Sequence, residues 1–239
     1  MTRKRIDVSH TVEHGMVTYK GLPAPLICDY LSRERSRGRY AAGTEFQIGQ
    51  ISMVANTGTY VDSPFHRFAD GQDLSELPLE SLADLECLVV RAGREEGEKK
   101  RRGGEEEKRR GGERDAARAI GSLPFADEEV RGKAVLFHTG WDRHWRTDRY
   151  FEGHPYLTAG LAERLAAAGA RIVGIDSHNI DDTTSNTRPV HTTLLGAGIP
   201  IVEHLTNLVA LPDREARFFA VPVKVKGFGT FPVRAFALA

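Results

Sequence analysis

Ala55-Asn-Thr-Gly-Thr-Tyr-Val-Asp-Ser-Pro-Phe-His-Arg-Phe68 is the stretch on which the reading of this chain turns. Asp62 and His66 stand four apart, Pro64 restricts the backbone between them, and Gly58 supplies a turn just ahead. A segment built this way presents a carboxylate and an imidazole to one small site.

Two other regions concentrate ligand-type side chains. Asp176-Ser-His-Asn-Ile-Asp-Asp-Thr-Thr-Ser-Asn-Thr-Arg-Pro-Val-His191 is a polar loop that follows a buried apolar run, a common position for a functional site. In Val202-Glu203-His204-Leu205 a carboxylate emerges from an apolar strand, which requires a partner or a metal if it is buried.

Read together, these motifs resemble the cyclase family of metal-dependent hydrolases, which includes kynurenine formamidase-like and isatin hydrolase-like proteins. The first stretch resembles the family signature His-x-Gly-Thr-His-x-Asp-x-Pro-x-x-His, with Asn56 and Tyr60 in place of its first two histidines. Asp7-Val-Ser-His-Thr-Val-Glu-His-Gly-Met16, Thr139-Gly-Trp-Asp142, Gly174-Ile-Asp176, Pro189-Val-His191 and Ile201-Val-Glu203 are similar to further family elements, in order and spacing.

The resemblance implies an α/β protein with the family's β/β/α, swivelling-domain-like mixed sheet fold, and assembly as a homodimer or homotetramer. It implies a metal site in which the ligands of one cation fall on Asp62, His191 and Glu203, while the nitrogen ligands of a second fall on Asn56 and Tyr60 and are lost. His66 takes the place of the family's general acid or base. The expected cofactor is one divalent metal, Zn²⁺ or Mn²⁺, or none if the two substitutions abolish binding.

The expected reaction is hydrolysis of a small amide, formamide or lactam. Two alternatives stay open: a metal-free cyclase, dehydratase or isomerase that uses His66, and a small-molecule binding protein without catalysis. His178 is the candidate for a replacement nitrogen, and Arg188 for meeting a substrate carboxylate. Phe65, Phe68, Trp141 and Trp145 are the aromatics available to wall a pocket, unless core packing takes them. Asp181 and Asp182 read as turn and salt-bridge residues.

Bulk properties fit a small-molecule enzyme. Lys plus Arg and Asp plus Glu both number 33, so the net charge is zero and gives no reason to expect a nucleic-acid or membrane partner. The N-terminus lacks an apolar signal-peptide core and no apolar run is long enough to span a bilayer, so a cytoplasmic protein is expected. Cys28 and Cys87 lie far apart and form neither a disulfide framework nor a thiolate site.

The 239 residues are expected to form a single domain over 1–239, with one intrusion. Arg94 to Arg114 holds 16 charged residues and five glycines among 21 and no apolar side chain, so a disordered, low-complexity insertion is expected there. Strands are expected at Cys87–Val90, Ala134–Phe137, Arg171–Ile175, Ile199–Val202, Phe218–Val225 and Val233–Ala237, with a β-bulge at Gly49-Gln50. A helix capped by Thr158 and stopped by Gly169, and a shorter one over Thr192–Leu195, complete the mixed pattern.

Overall fold

Strands buried on both faces read as unbroken apolar runs, and the centre of this fold is built from such runs. In the computed structural model, which describes residues 3–92 and 118–239, the strands are β1 (Arg5–Asp7), β2 (Leu26–Leu31), β3 (Ile48–Ser52), β4 (Tyr60–Asp62), β5 (Leu85–Arg91), β6 (Ala119–Ile120), β7 (Ala134–His138), β8 (Tyr156–Leu157), β9 (Ile172–Ile175), β10 (Ile201–Glu203), β11 (Ala216–Phe219), β12 (Thr230–Pro232) and β13 (Phe236–Leu238). Nine of them form one curled mixed sheet in the order β1-β13-β11-β5-β7-β9-β10-β4-β12. β5, β7, β9 and β10 run parallel, and the other five strands of this sheet pair antiparallel.

Alternation along the strands sorts the core into two layers. Cys87, Val89, Ala134, Leu136, Val202 and Phe218 face one side, against Leu74, Leu82, Leu205 and Leu208. Leu88, Val90, Val135, Phe137, Val173, Ile175 and Ile201 face the other, against the helices. Of the helices, α1 (Arg33–Ser36) and α2 (Asp127–Val130) are short, while α3 (Ala159–Ala168) and α4 (Pro189–Gly196) cover the second face with Leu161, Leu165, Val190 and Leu194. Each such buried leucine or valine contributes about 1.5–3 kcal/mol of transfer free energy.

The α3 boundaries are those its sequence dictates. Thr158 accepts a hydrogen bond from the Leu161 nitrogen at 3.2 Å, and Gly169 takes the left-handed conformation at φ 79°. The second helix begins earlier than Thr192, because Pro189 occupies its first turn, where its missing N–H costs nothing.

Three strand expectations need correction. The bulge lies not at Gly49-Gln50 but on the partner strand, where register shifts between Asp29 and Leu31; all five β3 residues are exposed, so their hydrophobic phase carries no burial signal. The run Phe218–Val225 stops being a strand at Phe219, short of Pro222, which has no N–H for a ladder. The last strand starts at Phe236, and Val233 instead follows a strand that the sequence did not announce, β12. The charged segment Arg94–Arg114 lies outside the described residues.

Candidate active site

Three adjacent strands bring the site together. β10 pairs with β4 so that Glu203 opposes Tyr60, and β12 pairs with the other edge of β4 so that Thr230 opposes Asp62. Directly opposed residues, and residues two apart on one strand, share a face, so these four side chains project together. The first turns of α4 add His191, and a single 3₁₀ turn over Pro64–His66 adds His66. That turn lies against Gly229, where a Cβ would sit 2.4 Å from the His66 nitrogen, so only glycine admits the approach.

His191 is held from behind by Asp181. The Asp181 carboxylate accepts from the Val190 nitrogen at 2.8 Å, from the His191 nitrogen at 3.0 Å, and meets the His191 ring Nδ1 at 2.6 Å. Nε2 is thereby aimed at two carboxylates, Asp62 Oδ2 and Glu203 Oε1, each 3.7 Å away. Burial opposes a charged ring, but the hydrogen bond to Asp181 and the neighbouring Asp62 and Glu203 outweigh it and carry the His191 pKa up to about 10.

Asp62 accepts on Oδ1 from the Thr230 hydroxyl, and its Oδ2, fully buried, has no hydrogen-bond partner among the described residues. Thr230 also lies 2.8 Å from Nδ1 of His66. Since the hydroxyl proton goes to Asp62, the Thr230 oxygen accepts from His66 Nδ1–H, which leaves Nε2 of His66 with its lone pair free.

Glu203 is anchored by the Ile180 nitrogen on Oε1 at 2.7 Å and by the Tyr60 hydroxyl on Oε2 at 2.5 Å. Tyr19 and Asn179 reach the same Oε2 at 3.4 Å. Burial raises the Glu203 pKa, and it raises those of the Tyr60 and Tyr19 phenols as well, so both phenols stay protonated as donors.

A cavity of about 300 Å³ opens onto this floor, lined by Tyr19, Leu22, Asn56, Tyr60, His66, Arg67, Asn179, Thr183, Arg188, His191 and Glu203. Asn56, Tyr60, His66, Arg188, His191 and Glu203 from the sequence reading therefore share one chamber, with Asp62 buried at its base. Five expected residues do not line it: Phe68 packs against the helix-side core, Trp145 stacks on His10, and Phe65, Trp141 and His178 are engaged elsewhere. Phe65 is half-buried with its backbone nitrogen bonded to Gln72, and Trp141 packs inward with Nε1 on the Tyr150 carbonyl. His178 belongs to a buried ring cluster with Tyr19, Tyr150, Phe151, His154 and His204, where desolvation lowers its pKa to about 3. It lies within that cluster and supplies no replacement nitrogen to the chamber; only its carbonyl contributes, accepting from Tyr19 at 3.0 Å.

Sequence reasoning missed Tyr19, Asn179, Thr230, Arg67 and the role of Asp181. For Asp181 a signal existed, since an acidic residue in a loop before a candidate ligand histidine often fixes its tautomer. Tyr19 and Asn179 gave none, because they meet Glu203 only through folding.

The donor set suits a divalent cation. Asp62 Oδ2 is an orphaned buried acceptor facing an imidazole nitrogen whose other nitrogen is already bonded to a carboxylate, the usual support of a metal-binding histidine. The 3.7 Å separations approach the ~3.4 Å between neighbouring ligands of a tetrahedral site with bonds of about 2.1 Å. Among the described residues the three whose ligand atoms all lie within 4.8 Å of one another are Asp62, His66 and His191, and Glu203 is outside that group, tied to it through its 3.7 Å approach to His191.

Fold and donor set together define a site of the metal-dependent hydrolase class. Residues 6–182 match the family model described as "Putative cyclase", and the chain belongs to that Cyclase family. Among its relatives, kynurenine formamidase of Maricaulis maris (strain MCS10) is 26% identical, covering 97% of this chain and 96% of that protein. Kynurenine formamidase of Erythrobacter litoralis (strain HTCC2594) is 28% identical, covering 94% and 89%. Isatin hydrolase A from Labrenzia aggregata, solved bound to benzyl benzoate, shares the fold with a TM-score of 0.74 at 20% identity, over 99% of this chain and 93% of that one.

Proposed function

We propose that this chain is a metal-dependent amidohydrolase that cleaves the C–N bond of a small amide, formamide or lactam. The observation that carries this reading is the Asp62 Oδ2, without a hydrogen-bond partner among the described residues, facing Nε2 of His191, with Glu203 Oε1 at the same 3.7 Å from that nitrogen. Asp62, His191 and Glu203 would hold one cation, Zn²⁺ or Mn²⁺ given the mixed nitrogen and oxygen donors. When bound it supplies Lewis acidity toward a carbonyl and toward water.

The chain's own groups supply the rest. His66, with Nδ1–H committed to Thr230, takes a proton at Nε2 during attack and returns it to the leaving amine. Asn56 lines the chamber with its amide available to a substrate carbonyl. Asp181 keeps His191 in one tautomer throughout. The kynurenine formamidase and isatin hydrolase relatives support a C–N bond of an aromatic amide or lactam as the target.

A cytoplasmic location accords with the absence, among the described residues, of any helix long and apolar enough to cross a membrane. Assembly into a homodimer or homotetramer would cover the β2–β3 ribbon, where Leu26, Tyr30, Ile48 and Ile51 stand exposed. Metal analysis after purification without chelator, paired with hydrolysis of formanilide and isatin, tests the activity. Metal-dependent turnover of either is expected; metal-free protein whose melting temperature does not move on adding Zn²⁺ or Mn²⁺ would overturn the reading.

A further inference from the structure

Two guanidinium groups line the chamber, and neither meets a carboxylate among the described residues. Arg188 is half-buried and pinned through one nitrogen: Nη1 donates to the carbonyls of Ser185 at 2.5 Å, Thr187 at 2.8 Å and Asp182 at 3.4 Å. Nε and Nη2 make no hydrogen bond to the described chain, so the planar fork is oriented yet unspent. Arg67 is held through Nε, which donates to the Thr192 hydroxyl at 3.2 Å, and its guanidinium carbon lies 5.4 Å from the Phe68 ring centre. Neither of its terminal nitrogens makes a hydrogen bond to the described residues.

Their placement relates them to the reacting centre. Arg67 follows His66 directly and is anchored on the residue after His191, so its guanidinium is tied to the same short segments as both imidazoles. Arg188 immediately precedes the helix that carries His191. A partly desolvated cationic fork draws a planar anion strongly, because carboxylate oxygens accept two parallel N–H bonds from it. About 300 Å³ accommodates an aromatic amide with one such group.

We propose that Arg188 and Arg67 form an anion-recognising wall that selects amides carrying a carboxylate. This rests on the hydrolase reading above, and the test separates the two. Formanilide and its ortho-, meta- and para-carboxylated forms are assayed with the metal-loaded protein, with Arg188→Gln and Arg188→Lys, and with Arg67→Gln. Melting shifts with benzoate and benzamide are recorded alongside.

At least one carboxylated isomer should exceed formanilide tenfold or more in kcat/KM, mainly through KM. Arg188→Gln should reduce that ratio at least tenfold, Arg188→Lys should recover part of it, and Arg67→Gln should reduce it severalfold. Because the Arg67 side chain lies at the surface, its variant remains informative if Arg188→Gln fails to fold. Equal rates on neutral and carboxylated substrates, or an unchanged ratio in Arg67→Gln and Arg188→Gln, would overturn the proposal. If no anilide turns over while benzoate stabilises the protein and benzamide does not, and Arg67→Gln abolishes that difference, the anion wall stands and the hydrolase reading falls. If benzoate and benzamide act alike there, both fall.

Discussion

The Tyr60 hydroxyl donates to Oε2 of Glu203 at 2.5 Å, across the register pair that sets the two residues opposite each other. Oε2 is thereby engaged, with Tyr19 and Asn179 also at 3.4 Å, and Glu203 offers only Oε1 toward His191. The chain should accordingly saturate at a single cation. Replacing Asn56→His and Tyr60→His together should increase the metal bound per chain, read by elemental mass spectrometry after dialysis against Zn²⁺ or Mn²⁺.

Removing that phenol exposes the strength of the contact. Tyr60→Phe leaves Oε2 of a fully buried glutamate without its shortest donor, which costs about 1–3 kcal/mol. A lower denaturant midpoint with an unchanged slope in metal-free protein is the expected result.

Asp181 acts on the site only through His191. Asp181→Asn should lower cation affinity by about 10–100-fold, because the ring loses the carboxylate that fixes its tautomer and raises its basicity. Competition with a calibrated chelator measures this, and circular dichroism checks that α4 has kept its start.

Cation and proton compete for the same ring. With the His191 pKa carried up to about 10 in the metal-free protein, loading at neutral pH must expel a proton, and apparent affinity should climb by up to about tenfold per pH unit toward that value. Calorimetric titrations in buffers of different ionisation enthalpy count the protons released.

Acid should weaken the fold through buried histidines that do not line the chamber. Desolvation holds His10 at about 4 and His178 at about 3, and lowers His154 and His204 too. Below about 6.5 the unfolded chain binds protons that these folded rings refuse, so stability is full above that pH and is lost as pH falls. Asp176, Glu203 and His191, whose folded pKa values are raised, act in the opposite sense, but they are three groups against four. The melting temperature should fall between pH 7 and pH 5, and His10→Phe, which retains a ring to stack on Trp145, should flatten that slope.

Local chemistry made part of this legible in advance. The α3 limits followed from Thr158 and Gly169, and the central strands from apolar runs with buried faces on both sides. Asp62, His191 and Glu203 are what the family resemblance implies, not what local chemistry dictates, and the sheet register sets Glu203 beside the strand that carries Asp62. What escaped was decided by packing: the exposed β3 has no buried face to set its phase, and His178 is drawn into a cluster of rings. Tyr19 and Asn179 converge on Glu203 from loops whose course no local signal encodes.

The ladder that opposes Tyr60 to Glu203 and Asp62 to Thr230 is made entirely of main-chain hydrogen bonds. Side-chain identity at those positions does not enter it, so the scaffold tolerates exchange of an imidazole for a phenol without reorganising. Loss or gain of a cofactor ligand in such a protein is a change of chemistry on a fixed frame, and the emptied frame should remain folded, ready for reassignment.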